Sequence, residues 1–303
     1  MKITRRMAIS GTAIVGAAAA GGVYVSIVRT RRTTTPLVRF LETGQKRIVA
    51  ANGIPDHPIG DFPNRHDPVS LRPQNLNFEM PIQPERSEAP VPLGMWFFGI
   101  AMNGIPFDPS GPFWNRDGHS GWQFEVLHPR AAVAFGIDTN RAHTQGRGLY
   151  HYHGLPTGLL WNLKKVAPDS PMLLLGFAAD GFPIYGPECP GDPLDVKSST
   201  RRLRSSYRIR KGTRNGGPGG RFDGLFVEDY EYSPGSGDLD ECNGRYGPTP
   251  EFPDGIYHYV LTDEFPQVPR LYRGKPDLSF RHGPPPGISP PVPPELGRYV
   301  PDA

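Results

Sequence analysis

Two stretches of the chain repeat one pattern: Gly148-Leu-Tyr150-His151-Tyr152-His153-Gly154 and Gly255-Ile-Tyr257-His258-Tyr259-Val260-Leu261. Tyrosine and histidine alternate in both, and alternation is the mark of a strand, where successive side chains point to opposite faces. His151 and His153 then share one face, and Tyr150 and Tyr152 the other; His258 repeats the position between two tyrosines. Imidazoles at i and i+2 stand about 7 Å apart at Cα, close enough for both rings to converge on one cation. His143 lies just upstream, so three of the nine histidines fall within eleven residues.

Imidazole is the commonest side-chain metal ligand, and a nearby carboxylate completes the shell or orients a ring. Asp138 precedes the cluster, and Asp180 ends the apolar run Met172–Ala179. The candidate ligands are therefore His143, His151 and His153, with Asp138 or Asp180 supplying oxygen and His258 as the last of the set. The plain alternative is a group of hydrogen-bonded imidazoles in a polar core. Methionine is scattered and the chain has two cysteines, so sulfur ligation is disfavoured. Nitrogen and oxygen donors leave zinc, copper(II), iron, nickel or manganese.

A second cluster is acidic. Asp238 and Asp240 alternate ahead of Asn243-Gly244, which suggests a structural calcium loop. The twelve-residue spacing of an EF-hand is absent, and a hydrogen-bonded turn is the alternative. Asn52-Gly-Ile-Pro55-Asp56-His57 places one more carboxylate and imidazole in a loop. Other catalytic templates fail: there is no Gly-x-Ser-x-Gly elbow, phosphate-cradling loop, dinucleotide fingerprint or His-Glu-x-x-His.

The elements that must position these residues are short. The chain has 303 residues with 37 glycines and 37 prolines, no Gly-X-Y period and 11% aromatics. That composition excludes collagen and argues against disorder. Short apolar runs separated by Gly/Pro turns predict a mainly β, loop-rich single domain of sandwich or barrel-like form over residues 36–282. Val38–Val49 reads as a strand or hairpin, Leu93–Met102 as a buried strand, Asn103-Gly104 as a turn and Gly158–Val166 as a helix. Frequent prolines predict a polyproline-like tail from Gly283 to Ala303.

A net charge of +3, spread over 33 basic and 30 acidic residues, gives no nucleic-acid footprint. Residues 1–35 read as a signal and tether. Arg5-Arg6 precedes an uncharged run from Met7 to Val28, which resembles a twin-arginine export signal. Its length also suits a membrane anchor if it is not cleaved. The expected location is periplasmic or extracellular. In that oxidising setting Cys189 and Cys242 are expected to form a bridge, with free buried thiols as the alternative.

The chain also resembles the YHYH-domain family, named for the string seen here at Tyr150–His153. The resemblance extends to Asn52–His57, Asp138-x-Asn140-x-Ala-His143, Gly176-x-Ala-x-Asp180-Gly-Phe-Pro-Ile-Tyr185-Gly, Gly237–Arg245, Thr249–Pro253 and Leu261–Pro266. It covers about Ala51 to Phe280. Many members look exported, and the resemblance implies a compartment without implying a reaction.

Three functions fit these readings. The first is an exported transition-metal-binding protein. The second is a metal-dependent hydrolase or oxidase using the same site with an open coordination position. The third is a metal-free glycan- or protein-binding module, in which Trp96, Trp114, Trp122 and Trp161 form an aromatic platform.

Overall fold

A computed structural model describes residues 34–114, 121–282, 292–293 and 296. Most of the stretch read as a signal and tether, and most of the Pro-rich tail, lie outside the described residues. Among the described residues, no helix is long and apolar enough to cross a membrane.

The fold is mainly β. Its centre is one eight-stranded mixed sheet, running in spatial order Gly244–Gly247, Ile256–Val260, Pro183–Tyr185, Leu174–Ala178, Gly99–Ala101, Pro106–Phe107, Leu149–Tyr152 and Ala142–Gln145. The sheet is open. Its end strands, Gly244–Gly247 and Ala142–Gln145, each pair with a single neighbour, so the barrel-like closure expected from composition does not occur. Val38–Thr43 and Lys46–Ala51 form the expected hairpin, joined by Leu76–Pro81 in a separate three-stranded sheet. Of the apolar run Leu93–Met102, only Gly99–Ala101 enters the ladder. The helix expected at Gly158–Val166 spans Thr157–Val166.

Tyrosines are prominent among the largest fully buried side chains. Tyr150, Tyr152, Tyr185, Tyr259 and Tyr272 are fully buried. A buried phenol needs a hydrogen-bond partner, and each has one. Tyr150 donates to Asp138, Tyr185 to Glu251 while accepting from the Thr249 hydroxyl, Tyr259 to Asp180, and Tyr272 to the Phe97 carbonyl, while Tyr152 meets Asn103 and His57. A second apolar cluster gathers Phe124, Val126, Phe135, Leu225 and Phe226, and the tail returns Val292 and Leu296 to it.

One expectation is corrected. Cys189 and Cys242 are free thiols. They belong to different apolar clusters, Cys189 beside Met172 and Tyr185 and Cys242 in the main core, and burial pushes both up to about 12. The acidic loop takes the form of the hydrogen-bonded turn that was its alternative reading. Asp238 is clamped by Arg201 through both oxygens, and Asp240 Oδ1 accepts the N–H groups of Cys242 and Gly244 and the Tyr257 hydroxyl. The tryptophans are dispersed rather than gathered: Trp96 packs on the main core, Trp114 and Trp122 on the second cluster, and Trp161 lies exposed on the Thr157–Val166 helix.

Candidate metal centre

The hairpin Ala142–Gln145 and Leu149–Tyr152 pairs His143 directly with His151. Cross-strand partners project to the same face, and His153 follows two residues after His151 on that face. All three imidazoles therefore point to one side, away from the tyrosines. Their ring centroids lie 4.8 Å (His143–His151), 5.0 Å (His143–His153) and 4.7 Å (His151–His153) apart. One nitrogen from each ring falls within 4.8 Å of the others. The Nε2 atoms of His151 and His153 are 2.9 Å apart.

Backbone carbonyls orient two of the rings. His143 Nδ1 meets the Phe135 carbonyl at 2.8 Å, and His151 Nδ1 meets the Leu149 carbonyl at 3.3 Å. Phe135 caps the short helix Pro129–Ala134, and helix ends leave carbonyls without internal partners. That free carbonyl holds the proton on His143 Nδ1 and turns Nε2 toward the cluster, as carbonyls behind metal-bound imidazoles do. Asp67 stands 3.8 Å from the same Nδ1. Its carboxylate is itself fixed by the Thr144 N–H and hydroxyl.

Burial sets the charge state. His151 is fully buried, His153 3% and His143 8% exposed. Loss of hydration pushes His151 down to about 3, with the neighbouring His143 adding to the shift. Burial first, and then His151 and His143, lowers His153; burial also lowers His143 against the pull of the Phe135 carbonyl and Asp67. All three are neutral near pH 7 and so carry lone pairs for a cation. Among the described residues, His153 Nδ1 is buried without a partner. A buried polar atom left so costs about 1–3 kcal/mol.

A residue the sequence reading missed completes this face. Phe107 pairs in parallel with Tyr152, and the Asp108 N–H donates to the Tyr152 carbonyl at 2.8 Å. In-register residues on neighbouring strands share a face. Phe107 accordingly packs on Tyr152, and Asp108 joins the histidine side, 1% exposed. Burial works to raise its carboxyl. His282, whose Nε2 stands 3.1 Å from Oδ2, outweighs this together with His151 and the Ser110 N–H, and the group stays below the usual range.

The other sequence candidates lie elsewhere. Asp138 sits on the tyrosine side, where it accepts the Tyr150 hydroxyl and the Gly60, Asn140 and Ala142 N–H groups. His57 also faces Tyr152 rather than the imidazoles. Asp180 is buried at the far half of the sheet, holding the Tyr259 hydroxyl and the Gly274 and Phe182 N–H groups; burial raises it to about 6. His258 is on that half too, between the Ile256 carbonyl and Arg245.

A family model described as "YHYH protein" matches residues 77–274, about two thirds of the chain. The chain belongs to the YHYH family. No curated protein and no solved structure matches it. The matched span of the YHYH domain contains the whole sheet, the three imidazoles and Asp108, and leaves the Val38–Ala51 hairpin and His282 outside.

The separation of Asp180 from the imidazoles has a direct consequence. Asp180→Ala in this YHYH domain removes three hydrogen bonds to a buried carboxylate and is expected to destabilise the fold by about 2–4 kcal/mol. Metal content should be unchanged. Denaturant unfolding and elemental analysis of the same sample check both halves of this expectation.

Proposed function

We propose that this YHYH protein is an exported metal-binding protein holding one divalent transition-metal ion through His143, His151 and His153. One observation carries the reading: three neutral, buried imidazoles converge on one point from a single strand hairpin. The donor set is all nitrogen, which suits zinc, copper(II) or iron and not a sulfur-preferring ion. The twin-arginine-like N-terminus supports export with the site already assembled.

Three protein ligands leave one position of a tetrahedral shell, and Asp108 is a buried carboxylate on the same side of the sheet. Asp108 separates the binding protein from a metal-dependent hydrolase or oxidase. As a ligand it closes the shell; as a neighbour it leaves that position to water and stands ready to accept a proton. Asp108→Ala distinguishes these roles by metal titration. A loss of affinity of about 100-fold or more assigns Asp108 to the shell, and a change of a few fold assigns it to the water.

The reading is tested on protein exported through its own N-terminal segment. It predicts about one transition-metal ion per chain and a thermal midpoint that falls when a chelator strips it. Binding at a thousand times the dissociation constant contributes about 4 kcal/mol. Folded protein that holds no metal, and whose midpoint is indifferent to added zinc, copper and iron, removes the proposal.

A further inference from the structure

The echo between the two Tyr-His-Tyr strands extends to the whole sheet. At its centre Gly99–Ala101 pairs with Leu174–Ala178, Gly99 facing Ala178, Ile100 facing Phe177 and Ala101 facing Gly176. This register is unchanged when Gly99 and Gly176 exchange roles. Each central strand turns through a glycine of positive φ, Gly104 at 79° and Gly181 at 91°, into a short strand, where Gly99 faces Phe107 and Gly176 faces Ile184. Each short strand then pairs in parallel with a Tyr-His-Tyr strand, Phe107 with Tyr152 and Ile184 with Tyr259. Each Tyr-His-Tyr strand ends in a hairpin partner, setting His143 against His151 and Arg245 against His258.

The hairpins share their details. Arg141 at φ 54° and Asn243 at φ 55° are the only non-glycine residues with positive φ among the described residues. Each follows an aspartate by three positions. The Asp138 and Asp240 N–H groups bond the Ala142 and Gly244 carbonyls at 2.8 and 2.9 Å, and each carboxylate accepts a tyrosine hydroxyl from the facing strand, Tyr150 or Tyr257. The carbonyls of Arg141 and Asn243 accept the N–H groups of His153 and Val260. A conformation that L residues rarely adopt, recurring in an identical hydrogen-bond frame, is not a coincidence of two unrelated hairpins.

We infer that the sheet is two copies of one half, and that the second half carries the counterpart of the metal centre, in which the Arg245 guanidinium stands where the first half binds its ion. The correspondence runs position by position. His151 becomes His258, still bonded through Nδ1 to the carbonyl two residues before it. His143 becomes Arg245, whose Nε lies 3.4 Å from His258 Nε2. His153 becomes Val260, and Asp108 becomes Tyr185, whose ring centroid is 5.4 Å from that of His258. A fixed covalent cation beside the retained imidazole replaces an exchangeable one; Val260 offers no donor atom, and the Tyr185 hydroxyl is engaged by Thr249 and Glu251. The inference rests on the proposed metal site of the first half, and it also explains why His258, buried like the others, has no imidazole neighbours among the described residues.

Restoring the donors tests it. Arg245→His/Val260→His in the full exported chain is titrated with zinc beside the parent. The expected result is a rise from one zinc per chain to two, the second lost on adding His258→Ala. One zinc in both folded proteins overturns the twin site and leaves the first centre standing; no zinc in either overturns the metal reading itself. Val260 is fully buried, so a bulkier side chain there can prevent folding. The reciprocal variant, His143→Arg/His153→Val, covers that case. It should fold, take up no zinc, and melt at or above the temperature of the zinc-free parent. A fall of more than about 10 °C below the zinc-free parent, or zinc retained, overturns the equivalence of the halves.

Discussion

Replacing His151 and His153 together with alanine is expected to take the protein from about one metal ion per chain to below a tenth. The two Nε2 atoms sit 2.9 Å apart on one strand face, so the variant removes two of three donors at one end of the site and leaves His143 alone. A single imidazole does not hold a transition metal against water. Both rings are buried, and their truncation also opens space in a close-packed region, at about 2–4 kcal/mol for the pair. The two effects separate in a chelator. With metal removed from both proteins, the remaining difference in stability is the packing loss; without chelator, the parent gains the binding energy and the variant does not. Elemental analysis with thermal melts in both conditions provides the check, and equal metal content in parent and variant contradicts the assignment.

Acid is expected to destabilise the metal-free protein strongly. A histidine whose folded pKa is depressed binds its proton more readily when unfolded. Stability is then full above the unfolded value of about 6.5 and is lost as pH falls through that value toward the folded one. His151 is pushed to about 3 and His258 to about 4 by burial, and His143 and His153 are lowered as well. Between pH 7 and pH 5 each of the first two costs about 2 kcal/mol. Asp180, raised to about 6, works the other way. It takes up a proton in the folded state first, so it returns about 1 kcal/mol over the same window. The net fall, before His143 and His153 are added, is about 3 kcal/mol, or roughly 6–12 °C in melting temperature for a domain of this size. Melts in chelator at pH 7 and pH 5 measure it. A midpoint unchanged between the two would show that the imidazoles are not held neutral by burial.

The part of the site that was legible in the sequence is the part that strand geometry encodes locally. Alternation in Tyr150–His153 placed the two histidines on one face, and proximity in the chain brought in His143. The hairpin at Val38–Ala51 and the helix at Thr157–Val166 were legible for the same reason, since their patterns are complete within a dozen residues. What depends on long-range register was not. Asp108 lies on the histidine side of the sheet only because Pro106–Phe107 runs parallel to the histidine strand, a pairing with no local signal. Their positions beside the cluster and at a strand end offer Asp138 or Asp180 as an oxygen ligand or as a carboxylate that orients a ring. The fold uses both to satisfy buried tyrosine hydroxyls, a demand that arises only once those tyrosines are known to be interior. The cysteines failed as a pair because compartment chemistry says that a bridge can form, while packing decides whether the two thiols meet. The one further clue was the echo itself. Asn103-Gly-Ile-Pro106-Phe107-Asp108 and Asp180-Gly-Phe-Pro183-Ile184-Tyr185 align turn for turn, and carrying the repeat beyond the tyrosines points to Asp108.

X-ray absorption at the K edge of the bound metal tests the central claim most directly, since it reads the coordination shell without relying on activity. The account predicts three nitrogen donors near 2.0–2.1 Å with the outer-shell scattering of imidazole rings, and no sulfur near 2.3 Å. A shell of oxygen alone, or the same spectrum from the His151→Ala/His153→Ala protein, would place the metal elsewhere and return the three histidines to the role of hydrogen-bonded core.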